Sequence, residues 1–309
     1  MAKITRVWAR EILDSRGRPT IETAMRLDDG QVSVASVPSG TSTGKFEAKE
    51  LRDSDPKRMA GFGVLKAVSN VNQILGPAIV GTDPVNLFEI DRKLVSLDGT
   101  SDKSKLGANA ILSVSLAVCR AGAQARGAPL YSWVHELAVA AGATDKAPPK
   151  RIPTPIFNMI NGGLHGAGNL DFQEFQVIPS TAKPYQFALQ IGVEVYQQIE
   201  ESLIRRGAIH SIGDEGGFAP NLFTNADALE IFIEAVAKSN YKVGSDVFLG
   251  LDAAASTFFR DGKYSIRDMS NPLSSAALSD YYAALYEKYR RTLLEDPLDE
   301  EDWNGWVEM

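Results

Sequence analysis

Two short apolar runs that each stop at an acid limit most sharply the folds open to this chain: residues 247–251 before Asp252, and 292–294 before Glu295. Runs of this length are strands rather than helices. An acid at the carboxyl end of each is the pattern of a β/α barrel, whose strand ends gather functional side chains at one mouth. Two more strand-like pieces, 155–160 and 172–178, precede them, and helical periods cover 185–205, 226–238 and 275–291. Strands alternating with helices give an α/β organisation for residues 151–309.

The first part of the chain reads differently. Residues 20–27 and 31–37 flank the turn Asp28-Asp29-Gly30 and predict a hairpin. Helical patterns follow at 64–75, 84–97 and 106–126, with Gly76-Pro77 and Gly127-Ala128-Pro129 as stop signals. That is α+β, strands first and helices after. Residues 140–150, rich in Ala, Gly, Pro and charge, are the linker. The expected domains are therefore 1–140 and 151–309. A closed barrel takes about 250 residues, so 151–309 has room for about half of one, in keeping with four strands.

Composition excludes several classes. A net charge of −7 argues against nucleic acid as the main partner, because phosphate binding needs a basic face. The longest apolar stretch, around 108–118, is far short of the ~20 residues of a membrane span. Cys119 is the only cysteine, so no internal disulfide forms, and its apolar setting predicts a buried, inert thiol. With no apolar signal segment after Met1, the expected compartment is a reducing cytoplasm, and a secreted or surface pool is not readable from the sequence.

Asp252 and Glu295 offer oxygen ligands that suit Mg²⁺; taken singly, either is also an ordinary helix N-cap or a solvated acid. Glu215 lies in Gly213-Asp214-Glu215-Gly216-Gly217-Phe218-Ala219-Pro220. A carboxyl held in a tight, partly buried turn is raised in pKa and can act as an acid, whereas Asp214 shapes the loop. Strict alternation through Asp171-Phe172-Gln173-Glu174-Phe175 would put Phe172 and Glu174 on one face, Gln173 and Phe175 on the other. His165 sits among glycines, which predicts an exposed loop open to a ligand, while His135 and His210 read as structural. The loop 39–45 is not a Walker loop: three residues separate Gly40 from Gly44, and Phe46 follows Lys45. It reads better as a lid carrying hydroxyls, Ser42 among them.

Taken in order, the segments Ile12-Leu13-Asp14-Ser15-Arg16-Gly17-Arg18-Pro19-Thr20, the 39–44 loop, Lys105-Leu106-Gly107-Ala108-Asn109, Asn161-Gly162-Gly163 with His165, Gln173-Glu174-Phe175, the Glu215 loop, Leu251-Asp252 and Glu295-Asp296-Pro297 resemble the enolase family over nearly the whole chain. The resemblance implies an N-terminal α+β capping domain, a β-meander plus helices, followed by an incomplete enolase-type β/α barrel. It implies reversible Mg²⁺-dependent dehydration of 2-phosphoglycerate to phosphoenolpyruvate. It also implies roles: Asp252 and Glu295 as two of three ligands of the tight metal site, Glu215 as the general acid, and His165, Gln173 and Glu174 around the substrate. Ser42 matches the lid serine that reaches a second Mg²⁺. Family members continue beyond the Glu295 strand with a third metal ligand, a lysine base and cationic residues for the substrate, none of which has a counterpart here. A homodimer or larger assembly is expected if the barrel is complete. The alternative is an inactive enolase-like protein that serves as a binding partner. A racemase-like member is disfavoured, since Gln173-Glu174 stands where such members resemble a Lys-x-Lys strand.

Overall fold

The computed structural model describes residues 2–40, 43–143, 151–166, 170–213 and 215–309. Its contacts divide the chain into two compact units, Met1–Arg151 and Ile152–Met309.

The first unit opens with three antiparallel strands, β1 (Ile4–Leu13), β2 (Pro19–Leu27) and β3 (Val32–Ser36), in the order β1-β2-β3. Between β2 and β3 the chain turns at Asp28-Asp29-Gly30, where Gly30 takes φ +87°, a conformation that only glycine adopts freely. The β1–β2 turn is built by Asp14, whose Oδ1 accepts the N–H groups of Arg16 and Arg18, each at 2.8 Å. Along β3 the side chains alternate, with Ser33 and Ala35 buried and Val32 and Val34 exposed.

Five helices follow: α1 (Leu65–Asn70), α2 (Gly76–Ile79), α3 (Leu87–Asp98), α4 (Ala108–Ala125) and α5 (Leu130–Ala140). The inner face of the sheet packs on α4, where Ser113 Oγ lies 2.7 Å from Thr23 Oγ1 and Ala117 O accepts from Ser33 Oγ at 3.0 Å. Burial raises the pKa of the half-buried Cys119 thiol, which keeps it protonated and unreactive. Gly76-Pro77, expected to stop a helix, does not. A π-type segment, Val71–Leu75, joins α1 to α2, and Gly76 N donates to Val71 O. Widening the turn just before Pro77 relieves the clash and the missing donor that a proline brings to a regular helix. Gly76 is needed there for space: a Cβ would stand 2.8 Å from Val71 O and 3.0 Å from Val7 Cβ.

The second unit runs β4 (Phe157–Asn161), β5 (Glu174–Pro179), α6 (Tyr185–Arg205), α7 (Asn225–Lys238), β6 (Val247–Asp252), the short pair β7 (Phe259–Arg260) and β8 (Lys263–Tyr264), α8 (Ser275–Tyr289), β9 (Arg291–Glu295) and α9 (Trp303–Glu308). Its main sheet has the order β4-β5-β6-β9. Only β6 and β9 run parallel; β5 is antiparallel to both its neighbours. The sequence pattern specifies the strands and their order but not their direction; here β5 runs opposite to both β4 and β6. Among the described residues the sheet does not close. On the outer side of β4 its edge is bridged by Phe218, whose N–H donates to Met159 O and whose O accepts from Asn161 N, both at 2.8 Å.

One face of this sheet is the core. Phe175 and Val177 of β5, with Leu249 and Leu251 of β6, pack against Ile191, Val195 and Ile199 of α6, Phe232 and Val236 of α7, and Leu278 and Tyr282 of α8. The spacing 188, 191, 195, 199, 203 gives α6 one continuous buried stripe. A capping box starts α7: Thr224 Oγ1 accepts from Asp227 N, and Asp227 Oδ2 accepts from Thr224 N. Where α6 crosses β4, Gly192 lets the Phe157 ring approach so closely that a Cβ would stand 2.5 Å from it. Gly192→Ala is expected to destabilise the second unit by roughly 1–3 kcal/mol through overpacking, read as a lower midpoint in urea with an unchanged slope.

Candidate active site

The other face of the sheet carries polar groups, and the strand register lines them up. Asn161 of β4 pairs with Glu174 of β5, Glu174 with Asp252 of β6, and Asp252 with Glu295 of β9. Reversal of β5 makes this row possible: Glu174 opens its strand, whereas Asp252 and Glu295 close theirs, yet all three lie at the same end of the sheet.

Burial raises Asp252 to about 7, with the charges of Glu295 and Glu174 acting in the same direction and a hydrogen bond from Gln173 acting against them. That bond, Gln173 Nε2 to Asp252 Oδ2, is 3.0 Å long, and Ala254 N donates to the other carboxylate oxygen at 3.0 Å. Glu174 is likewise lifted to about 7, by burial first and then by the hydrogen bond it shares with Glu215, against a 2.9 Å bond from Gln176 Nε2. Glu295 is raised by burial and by its neighbour Asp296. Carboxylates crowded so that each disfavours the charge of the next form a site that a cation would stabilise.

His165 falls in a short 3-10 turn, Gly163–His165, and is only 7 % exposed, so the expectation of an open loop is corrected. The surrounding glycines serve close packing: a Cβ on Gly213 would lie 2.8 Å from His165 O. His165 Nδ1 stands 3.0 Å from Glu215 Oε2 and 3.7 Å from Glu174 Oε1. Glu215 itself is the open member of the group, its side chain 37 % exposed, with its loop steadied by a 2.8 Å bond from Tyr196 Oη to Gly216 O. The expected partly buried carboxyl is therefore Glu174, and Glu215 faces solvent beside it. Among the described residues, His165, Glu174 and Glu215 are the three whose ligand atoms lie close enough together, all within 4.8 Å, to share one metal ion.

Strict alternation misplaced Gln173 and Phe175. Phe172 and Phe175 share the core, with ring centroids 6.1 Å apart, while Gln173 turns to Asp252. Extended strand geometry begins only at Glu174, so the two-residue period does not reach back to Phe172. Two asparagines went unread. Met159 is an extra residue against β5, since Asn158 pairs with Gln176 and Ile160 with Phe175. This bulge turns Asn158 and Asn161 to the same spot, which regular alternation forbids at that spacing. A Cβ on Gly217 would meet Asn161 Oδ1 at 2.0 Å and Asn158 Oδ1 at 3.1 Å. Asn158 Nδ2 donates to Glu215 Oε2 at 3.3 Å. Repeated Asn in an otherwise apolar strand was the available signal.

The oxygen donors of Asp252 and Glu295 suit a hard divalent cation. So does Gln173 Oε1, which is buried and has no hydrogen-bond partner among the described residues. Ser42 lies outside the described residues. Ser39, at the base of the same loop, is buried and bonded to Arg52 Nη2 at 2.8 Å.

No helix among the described residues is long and apolar enough to cross a membrane. Two family models match the chain: the enolase N-terminal domain over residues 4–134 and the enolase C-terminal TIM barrel domain over residues 149–309. With both matches in sequence order and the acid row at one end of the second unit's sheet, this chain belongs to the enolase family.

Proposed function

We propose that this chain binds Mg²⁺ and 2-phosphoglycerate at the acid row of its second unit and acts in the reversible dehydration of that substrate to phosphoenolpyruvate. The observation that carries the reading is the register that sets Glu174, Asp252 and Glu295 side by side. Asp252 and Glu295 would hold the cation, with Gln173 fixing the orientation of the Asp252 carboxylate. The chemistry a divalent cation supplies there is neutralisation of charge that builds on the substrate when a proton next to its carboxylate is lost.

Hydroxide is a poor leaving group, so an acid has to protonate the departing oxygen. Glu215 is suited to that part: it is open to a ligand, and across the hydrogen bond it shares with Glu174 it can take up the proton that this pair retains near neutrality and pass it to the departing oxygen. His165 Nδ1 and Asn158 Nδ2 both approach one oxygen of the Glu215 carboxyl, Oε2. Ser42, by its match to the lid serine, would reach a second Mg²⁺ that arrives with the substrate. A binding role without turnover is the second reading, and one observation favours it. Lys183, Lys238 and Lys288 of the second unit pair with Asp246, Glu234 and Glu230 rather than with the acids of the row.

The test is to mix the purified chain with 2-phosphoglycerate, with and without Mg²⁺, following substrate binding by calorimetry and phosphoenolpyruvate by its ultraviolet absorbance. Mg²⁺-dependent binding is the expected result. Turnover on top of it establishes dehydration, binding alone selects the second reading, and neither one refutes the site.

A further inference from the structure

Asn225, the first residue of α7, is fully buried, and all of its side-chain hydrogen-bonding capacity is used. Its Nδ2 donates to Asp171 Oδ2 at 2.8 Å and to Asp268 Oδ1 at 2.6 Å. Its Oδ1 accepts from the backbone of Asp171 at 2.9 Å and of Phe172 at 3.3 Å. Asparagine and glutamine are the side chains that offer two donors and two acceptors in one planar group, and the longer glutamine does not fit where the backbone N–H of Asn225 also bonds Asp268 at 2.8 Å. Asp268 additionally accepts from Ala226 N at 3.0 Å, so it caps the start of α7. Asp171 Oδ2 also takes the Arg267 N–H at 2.8 Å.

The segment gripped in this way leads directly into the acid row. On its opposite side the same stretch is held by glycine backbone: Gly162 N donates to Gln173 O at 3.0 Å and Gly163 N to Leu170 O at 2.9 Å. Gly162 is so close that a Cβ would lie 2.3 Å from Phe172 O. The next residues are Gln173, bonded to Asp252, and Glu174, beside His165.

We propose that Asn225 is a positioning residue for the cation site: by tying the start of α7 and Asp268 to Asp171 and Phe172, it fixes where Gln173 and Glu174 enter the acid row. The proposal rests on the cation reading above for its functional meaning, but its geometry can be tested separately. Residues that orient metal ligands typically change affinity about 10–100-fold when removed.

Asn225→Ala is compared with Thr224→Ala, which removes the cap of the same helix without touching Asp171 or Phe172. Both variants are expected to melt at lower temperature. Asn225→Ala alone is expected to weaken Mg²⁺ binding by about tenfold or more and to shift the imidazole NMR signals of His165 at fixed pH, which are assignable because the chain has 3 histidines. If Asn225→Ala melts lower but leaves both readouts unchanged, or if Thr224→Ala moves them equally, Asn225 is merely structural and the proposal is overturned. If the unmodified protein does not bind Mg²⁺, the cation reading fails, and the His165 signals alone decide whether the grip positions the row. If Asn225→Ala does not fold, Asp171→Asn takes its place; a smaller change in the same direction is expected, and no change overturns the proposal.

Discussion

Asp252→Asn is expected to make the metal-free protein more stable above neutral pH while abolishing its stabilisation by Mg²⁺. The folded state raises Asp252 from 3.8 to about 7. Between those values the folded chain holds a proton that the unfolded chain has released, so stability falls as pH rises through the window and the full penalty is present above about 7. Each pK unit corresponds to about 1.4 kcal/mol, which puts that penalty at roughly 4–5 kcal/mol at pH 8. Asparagine carries no charge and escapes it. The shape is also tolerated: the carbonyl oxygen of the introduced asparagine can keep the Ala254 N–H, and its amide can donate to Gln173 Oε1, now without a partner, once the Gln173 amide turns over. Mg²⁺ reverses the order, because the unmodified carboxylate gains a cation and the amide does not. Thermal melts at pH 5 and pH 8, with and without Mg²⁺, read both effects. A variant less stable than the unmodified protein at pH 8 without Mg²⁺ contradicts the charge argument.

Phe172→Ala is expected to cost the second unit about 3–5 kcal/mol. The ring is fully buried and sits at the centre of an aromatic cluster, 6.1 Å from Phe175, 6.0 Å from Phe258, 6.3 Å from Tyr281 and 5.8 Å from Tyr282. These partners come from β5, the short turn after β6, and α8, so truncation opens a cavity where three elements meet and none can collapse alone. The chain has two compact units and Phe172 lies in the second, so the loss is expected in the melting transition of that unit. Calorimetry is expected to show one transition lowered by roughly 6–20 °C and the other unmoved. Equal shifts in both transitions, or none, would show that Phe172 does not anchor this core.

Local pattern carried much of the architecture. The period in 185–205 gave α6 its full extent, and the runs ending at Asp252 and Glu295 became β6 and β9. These segments were legible because burial on one face leaves a repeat in the residues themselves. What the sequence hid was set by tertiary geometry. Strand direction leaves no mark in composition, so the reversal of β5, which brings Glu174 beside Asp252, could not be read. A helix passing Gly76-Pro77 depends on a π-type segment and on close contact with Val7, neither of which propensity reports. The paired approach of Asn158 and Asn161 depends on one bulged residue, Met159. His165 and Glu215 exchanged expected environments, the first buried and the second open, because glycine permits both exposure and close packing, and only the neighbouring chain decides which.

Calorimetric titration of Mg²⁺ into the unmodified protein and into Asp252→Asn at pH 8 tests the acid row most directly. The account predicts a single saturable site in the unmodified protein and its loss in the variant, with both proteins folded. Binding of equal strength in the two would place the cation elsewhere and contradict the assignment of Asp252 and Glu295 as its ligands.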